Sequence, residues 1–172
     1  MRLKDPMSGS DRFRVCFVCT ANLCRSVAAE FMFERMLQEA GLDEQVGVWS
    51  SGTSRWRRDG DMDPRTRDWL ARHGYADGEH GMRQFEPAWF GEVDLVVALD
   101  RTHRRTLSNL ARGDADLAKI ALLCSFDAAL APLQDIPDPY SFDDDGFDRV
   151  METIEQSCRS LLSHVQGELA RR

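Results

Sequence analysis

The chain has 172 residues, of which 42% are hydrophobic and 30% are charged, as expected of one globular domain rather than two. Its formal charge of −7 argues against a general binder of nucleic acid or of an acidic membrane, because either partner requires a basic face. No stretch approaches the roughly 20 apolar residues of a membrane span, and the first twelve residues lack the apolar run of a signal peptide. We therefore expect a flexible extension over residues 1–12, one domain over residues 13–170, a cytoplasmic location, and no nucleic-acid or membrane partner.

Cysteine and histidine are the residue types that most often hold metal ions, and neither has the spacing of a metal site in this chain. The five cysteines are an odd number without regular spacing, and the four histidines are scattered. We therefore expect reduced thiols, no metal site and no cofactor. The cysteines are Cys16, Cys19, Cys24, Cys124 and Cys158.

The first half of the chain reads as two strand-to-helix units. Phe13–Cys19 is apolar and rich in β-branched residues, which predicts a buried strand. Apolar residues then recur at helical spacing from residue 26, with Gly41 as the C-terminal cap. Residues 46–49 predict a second strand. Asp63 is the expected N-cap of a second helix, which has proline at its first position and Gly74 after its last turn.

The second half repeats the alternation. Residues 93–99 predict a third strand, and Asp100 is the expected N-cap of a helix over residues 101–112 that ends at Gly113. Residues 120–123 predict a fourth strand, and a long helix with one apolar face follows over residues 146–169. This order predicts a single-domain, three-layer α/β fold. In it a central four-stranded parallel sheet carries helices on both faces, and ligands bind at the carboxyl ends of the strands.

The loop between the first strand and the first helix is the candidate nucleophile site. Backbone N–H groups at a helix start are unpaired and the helix dipole is positive there, which makes an anion cradle and favours a thiolate at Cys19. Arg25 can grip two phosphoryl oxygens with its planar fork, Ser26 can donate a hydrogen bond to the sulfur, and Asn22 tolerates left-handed backbone. The competing interpretation is a buried cysteine beside an ordinary surface arginine. We call this segment the phosphate loop: Cys19, Thr20, Ala21, Asn22, Leu23, Cys24, Arg25 and Ser26.

A phosphoryl-transfer site that expels an alkoxide or phenoxide also requires a proton donor. Asp138 fits this role, because the adjacent proline stiffens its loop and Tyr140 offers an aromatic wall for a flat substrate. Asp135 is the alternative acid. The aspartates at 143–145 are interpreted as a solvated run.

These residues resemble the low-molecular-weight protein tyrosine phosphatase family, which has a Cys-x5-Arg-Ser loop after its first strand and an Asp-Pro-Tyr loop near its end. Ser51-Gly52-Thr53 and Ala98-Leu99-Asp100-Arg101 also look like family segments, so the resemblance spans residues 13–169. It implies that Cys19 attacks phosphorus, Asp138 protonates the leaving oxygen, and the cysteinyl-phosphate is then hydrolysed with Asp138 as base. It implies no metal.

Two positions depart from the family pattern, which usually has glycine at Ala21 and proline at Val27. A positive φ at Ala21 would store about 1–2 kcal/mol of strain. Cys24 matches a second loop cysteine that in the family can form a protective disulfide with the nucleophile, which implies redox regulation as a hypothesis.

The resemblance implies a phosphotyrosine-containing protein as the substrate. We expect the enzyme itself to be a monomer or weak dimer. Leu23 stands where relatives directed at arginine phosphate carry threonine, and Trp56 matches a position that walls the substrate cleft opposite Tyr140. Protein arginine phosphatase and arsenate reductase are the alternative activities, although Cys124 and Cys158 lack the close pair that the reductase needs. A phosphotyrosine-binding module without turnover is the non-enzymatic alternative, opposed by the presence of nucleophile, arginine and acid together.

Overall fold

A computed structural model of the protein describes residues 12–54, 61–75, 78–133 and 135–172. The predicted extension over residues 1–12 therefore lies outside the described residues except for its last position. The strands are β1 (Phe13–Cys19), β2 (Val46–Gly52), β3 (Leu95–Ala98) and β4 (Ile120–Leu122). The helices are α1 (Arg25–Glu39), α2 (Pro64–Arg72), α3 (Arg101–Leu110), α4 (Asp114–Leu117) and α5 (Asp144–Leu169), with short 3₁₀ turns at Pro87–Gly91, Leu123–Phe126 and Pro139–Ser141.

The four strands form one parallel sheet in the order β2-β1-β3-β4, which confirms the predicted three-layer fold. β1 is buried along almost its whole length because both faces of the sheet are covered. Its alternate residues face opposite cores. Val15 and Phe17 pack in the larger core, whereas Cys16 and Val18 pack in the smaller core around Trp49.

Helix α1 is held between the sheet and α5. Phe33 on α1 meets Phe17 on β1 edge to face, with ring centroids 5.7 Å apart. On the other side, Ile154 and Leu161 of α5 are fully buried in the same core. The start of α1 is therefore fixed relative to β1, and with it the phosphate loop that joins the two elements.

Several element boundaries differ from the sequence prediction. β2 runs three residues further, to Gly52, because residues 50–52 pair with the end of β1 although two of them are serines. β3 is shorter than residues 93–99. Helix α3 ends at Leu110 rather than at residue 112, since Ala111 is extended, and Gly113 lies at the N-terminus of α4, which the sequence did not predict.

Four of the predicted helix caps are present, at Asp63, Asp100, Gly41 and Gly74. The Asp63 side chain accepts a hydrogen bond from the backbone N–H of Arg65, and the Asp100 side chain accepts one from His103. Gly41 and Gly74 have φ of 68° and 77°, the left-handed conformation expected after a helix. In the part of the chain that the structure describes, no helix has the length and apolar character needed to cross a membrane.

Candidate active site

The phosphate loop lies at the carboxyl end of β1, between two neighbouring strands. Residues after β2 bond the carbonyl groups of the loop. The backbone N–H of Thr53 donates to the Cys19 carbonyl at 2.8 Å, and that of Ser54 donates to the Thr20 carbonyl at 3.0 Å. On the far side, the backbone N–H of Asp63 donates to the Leu23 carbonyl at 2.9 Å. Among the described residues, no acceptor pairs with the backbone N–H groups of residues 20–23. The loop therefore offers those donors to an anion.

Gly52 allows this close packing of β2 against the phosphate loop. A β-carbon at position 52 would lie 2.6 Å from the Thr20 carbonyl oxygen and 3.1 Å from the Ser54 carbonyl oxygen. Both contacts are with backbone, which cannot rotate away. Glycine is therefore required here by the close approach of two segments of backbone.

The Cys19 sulfur lies 2.9 Å from the Ser26 hydroxyl oxygen, and Asn22 holds that hydroxyl in place. The Asn22 amide nitrogen donates to Ser26 Oγ at 3.0 Å and to Ser50 Oγ at 2.8 Å, while Asn22 Oδ1 accepts from the backbone N–H of Arg83. Ser26 Oγ accepts from Asn22, and its own hydrogen is available to the sulfur. The Ser26 hydroxyl is therefore placed to donate a hydrogen bond to a thiolate at Cys19.

Asn22 is the one non-glycine residue with positive φ in the described ranges, at 57°. Its own carbonyl accepts from His80 Nε2 at 2.9 Å, so side chain and backbone are both bonded. Ala21 does not have positive φ, and the strain considered for it does not arise. Val27 is fully buried in the core.

The network continues into the interior through Ser50, which donates to the buried Glu30 carboxyl. Burial raises the pKa of Glu30, and burial lowers the pKa of His80. Sequence reasoning missed these supporting residues. The extension of β2 would have identified Ser50, because that strand places it beside the end of β1.

Arg25 is buried, with 4% of its side chain exposed, and is fixed at three points. Its NH1 donates to Asp100 Oδ2 at 2.9 Å and to the Ile136 carbonyl at 2.8 Å. Its NH2 lies 3.4 Å from Asp138 Oδ2. The guanidinium is therefore held in one orientation at the head of α1, beside the loop that carries Asp138.

His103 joins Asp100 to the phosphate loop. Its Nε2 lies 2.8 Å from Thr20 Oγ1, and its Nδ1 lies 3.1 Å from Asp100 Oδ1. Burial lowers the pKa of His103 to about 4, against the opposing effect of the Asp100 carboxylate. The ring is therefore neutral at pH 7. With the proton on Nδ1, which lies 3.1 Å from the carboxylate but is not aligned for a hydrogen bond to it, Nε2 accepts from the Thr20 hydroxyl.

Asp138 and Asp135 occupy different environments. The Asp138 side chain is 56% exposed, and its Oδ1 accepts from the backbone N–H of Tyr140 at 3.2 Å. Asp135 is paired with the Arg101 side chain and with its backbone N–H, and the Arg101 hydrogen bond lowers the pKa of Asp135. That carboxylate is held ionised, which counts against Asp135 as a proton donor.

All five cysteines are free thiols and all are buried. Burial raises the pKa of Cys24 to about 12 and also raises the pKa of Cys124 and of Cys158. Cys124 and Cys158 lie in the larger core. Over the described ranges, no group of three or more histidine, cysteine or carboxylate side chains is placed to hold a metal ion.

The structure gathers most of the predicted residues at one end of the sheet. The phosphate loop, Arg25 and Asp138 lie together, and Tyr140 is 70% exposed on the Asp138 loop. Trp56 lies outside the described residues. Asp100 was predicted only as a helix cap, and His103 was not singled out. The position of Asp100 directly after a buried strand was the available signal for a site residue.

Comparison with known proteins gives a consistent picture. The family profile described as "Low molecular weight phosphotyrosine protein phosphatase" matches residues 14–171. The low molecular weight protein-tyrosine-phosphatase of Streptomyces coelicolor is 45% identical over 158 residues, covering 91% of this chain and 96% of that protein. A crystal structure of a protein tyrosine phosphatase from Entamoeba histolytica has a TM-score of 0.84 at 26% identity, covering 91% of this chain and 98% of that one. The YwlE arginine phosphatase, with a TM-score of 0.79 at 24% identity over 90% of this chain and 96% of that one, shares the fold.

Proposed function

This chain belongs to the low molecular weight phosphotyrosine protein phosphatase family of enzymes, and we propose that it hydrolyses phosphotyrosine in proteins with Cys19 as nucleophile, Arg25 as phosphate ligand and Asp138 as general acid and base. The observation that carries the proposal is the position of Cys19 Sγ, 2.9 Å from the Ser26 hydroxyl oxygen, in a loop that also carries the buried Arg25. A cysteine so placed is a nucleophile rather than a core thiol.

In the first step the Cys19 thiolate attacks phosphorus, forming the S–P bond as the bond from phosphorus to the phenolic oxygen breaks. The Arg25 fork and the free N–H groups of the loop hold the three non-bridging oxygens, where charge accumulates. Asp138 gives its proton to the departing oxygen. The product of this step is a tyrosine residue and a cysteinyl-phosphate.

In the second step a water molecule attacks the cysteinyl-phosphate. Asp138, now a carboxylate, takes a proton from that water, and the S–P bond breaks. The Ser26 hydroxyl donates to the departing sulfur, which leaves as the thiolate. Inorganic phosphate is released and the enzyme returns to its starting state, without a metal ion in either step.

Preference for tyrosine over arginine rests on the apolar side chain at Leu23 and on the exposed ring of Tyr140. An aromatic leaving group packs against such surfaces, whereas a phosphorylated guanidinium needs polar partners. Trp56 is the proposed second wall. Arginine phosphatase activity remains the second candidate because the YwlE enzyme shares the fold.

The test is phosphate release from a phosphotyrosine peptide and from phosphoarginine, with a thiol reductant and without metal. Wild type is compared with Cys19→Ser, with Asp138→Asn and with Cys124→Ser as a control for loss of a buried thiol elsewhere. We expect tyrosine-selective turnover that is abolished by Cys19→Ser and unaffected by Cys124→Ser. Arginine preference would overturn the argument from Leu23, thiol-dependent arsenate reduction would indicate a reductase, and tight binding without turnover would indicate a binding module.

The proposal includes redox control through Cys24. Peroxide converts the Cys19 thiolate to a sulfenic acid with release of hydroxide, and the Cys24 thiol then displaces water to form a disulfide. Burial raises the pKa of Cys24 to about 12, so this second step is slow at neutral pH. After peroxide treatment, the tryptic peptide over residues 15–25 should be lighter by two hydrogens, and dithiothreitol should restore the activity of the intact enzyme. Wild-type-like recovery in Cys24→Ser would contradict the bridge.

We assign the enzyme to the cytoplasm, as a monomer or weak dimer, with the catalytic domain over residues 13–170. Five reduced thiols and a phosphoprotein substrate support a reducing compartment. Cell fractionation tests the location, and light scattering on a size-exclusion column tests the oligomeric state. A stable, tight dimer at micromolar concentration would contradict the second assignment.

A further inference from the structure

Arg65, in the first turn of α2, crosses to the loop that carries Asp138. Its NH2 donates to the Tyr140 carbonyl at 2.8 Å and its NH1 donates to the Phe142 carbonyl at 3.1 Å. Both acceptors are backbone groups more than seventy residues away along the chain. A single side chain therefore bonds the segment that follows the proposed general acid at two points.

The guanidinium of Arg65 is itself held in place. Its central carbon lies over the Phe147 ring, 4.7 Å from the ring centroid, and its Nε lies 3.5 Å from Asp63 Oδ1. The same Asp63 carboxylate accepts from the backbone N–H of Arg65. Only about a third of the Arg65 side chain is exposed. A planar fork confined in this way is suited to bidentate binding of backbone carbonyls.

The first turn of α2 also contacts the phosphate loop. The backbone N–H of Asp63 donates to the Leu23 carbonyl at 2.9 Å. The Asp63 carboxylate also forms an ion pair with Arg65, so Asp63 contacts both the phosphate loop and Arg65. Helix α2 thus bonds the phosphate loop at one side and the Asp138 loop at the other. The separation between nucleophile and acid is set partly through this turn.

Asp138 lies between two arginine anchors. Before it, the Ile136 carbonyl accepts from Arg25, and after it the Tyr140 carbonyl accepts from Arg65. The Asp138 side chain itself is more than half exposed, so burial does not fix its position. Burial of Pro139 holds the residue next to Asp138, and Arg65 holds the two carbonyls that follow it, at Tyr140 and Phe142.

We propose that Arg65 is a positioning residue for the general acid, an inference that rests on the proposed role of Asp138. Arg65 does not touch substrate. It holds the Tyr140 and Phe142 carbonyls so that the Asp138 carboxyl stays within reach of the leaving oxygen, at the hydrogen-bond distance that proton transfer requires.

The experiment separates positioning of an acid from general loss of structure. A proton donor accelerates departure of a basic phenolate far more than departure of an acidic one, so its loss steepens the dependence of kcat/KM on leaving-group pKa. A series of aryl phosphates from p-nitrophenyl to p-methylphenyl phosphate is assayed with wild type, Arg65→Gln, Arg65→Lys, Arg67→Gln and Asp138→Asn. Inhibition by vanadate reports on the phosphate loop, and thermal melting reports on folding.

We expect Arg65→Gln to lower kcat/KM by about tenfold or more for the most basic leaving group and by much less for p-nitrophenyl phosphate. Vanadate inhibition should be unchanged. Arg65→Lys, which keeps one donor and the charge over Phe147, should be intermediate and keeps the test available if Arg65→Gln folds poorly. Arg67→Gln is the matched control, because Arg67 lies in the same helix, pairs with Asp61 and, over the described residues, has no hydrogen bond or ion pair with the Asp138 loop.

The inference would be overturned if kcat/KM of both Arg65 variants depended on leaving-group pKa as steeply as that of wild type. It would also be overturned if kcat/KM fell by the same factor for every substrate. Asp138→Asn distinguishes the two levels of the argument. If Asp138→Asn steepens the dependence and the Arg65 variants do not, Arg65 is not a positioning residue while the acid assignment stands. If Asp138→Asn leaves the dependence unchanged, the acid assignment itself fails.

Discussion

The Arg25 guanidinium and the Asp100 carboxylate form an ion pair of 2.9 Å in which both partners are largely shielded from water. The same carboxylate caps α3 by accepting from the backbone N–H of His103 at 2.8 Å. One side chain therefore orients Arg25, the proposed phosphate ligand, and begins the helix that follows β3. Asp100 and the Ile136 carbonyl together fix the guanidinium through NH1.

Replacing Asp100 with asparagine should lower kcat/KM for a phosphotyrosine peptide by about 10- to 100-fold, the loss of one hydrogen bond to a charged group. Asparagine still caps a helix, so the melting temperature should fall by only a few degrees. The matched control is Asp61→Asn, which removes a carboxylate paired with an exposed arginine. Steady-state kinetics showing wild-type kcat/KM for Asp100→Asn would contradict an orienting role.

Removing the Ser26 hydroxyl tests the hydrogen bond to sulfur. In Ser26→Ala the departing thiolate loses its donor, so hydrolysis of the cysteinyl-phosphate should slow by about tenfold or more while the intermediate accumulates. Rapid-quench measurements with p-nitrophenyl phosphate should then show a burst of p-nitrophenol followed by slow turnover. Ser108→Ala, on the exposed face of α3, serves as control. Absence of a burst together with wild-type kcat would argue that Ser26 has no part in the second step.

The close approach at Gly52 gives a prediction about stability. In Gly52→Ala the new methyl group meets the Thr20 carbonyl at 2.6 Å, so either β2 or the phosphate loop must shift. Overpacking of this kind costs about 1–3 kcal/mol, and displacement of the loop should also reduce kcat. Gly91→Ala is the control, because a β-carbon at position 91 meets nothing within 4 Å. Equal unfolding free energies for the two variants in urea would show that the packing is softer than these distances indicate.

The predictions that held from sequence were those whose cause is local. Asp63 and Asp100 were predicted as N-caps because a carboxylate reaches a backbone N–H two or three residues on, whatever the rest of the chain does. β1 was recognisable because a strand buried on both faces is a continuous apolar run. The left-handed backbone at Asn22 is likewise a local property of that residue type.

What could not be predicted depends on which segments become neighbours. Glu30 reaches the site through Ser50, twenty residues away, and Ser50 itself entered β2 only because β1 pairs with it. The sequence predicts Asp100 as a helix cap. Asp100 becomes a partner of Arg25 only because β3 lies beside β1 in the folded sheet. Arg65 in isolation is an ordinary charged residue of a short helix. Its role requires the Tyr140 carbonyl, which no spacing rule connects to it.

The last prediction concerns pH and the buried His103. Only 1% of its side chain is exposed, and burial lowers its pKa to about 4 from an ordinary value of 6.5. Between those values the unfolded chain binds a proton that the folded protein does not, so the unfolding free energy falls as pH decreases. The stability that the neutral ring contributes is complete above pH 6.5 and is lost as pH falls toward 4.

The buried Glu30 has the opposite sign: its raised pKa contributes stability that is lost as pH rises. Comparison with His103→Gln removes that contribution, because both proteins retain Glu30. The advantage of wild type over His103→Gln in urea unfolding should therefore shrink by roughly 2–3 kcal/mol between pH 7.5 and pH 4.5. A difference that stays constant across that range would mean that His103 gains its proton as readily in the folded protein as in the unfolded chain. The neutral link from Thr20 through His103 to Asp100 would then be wrong.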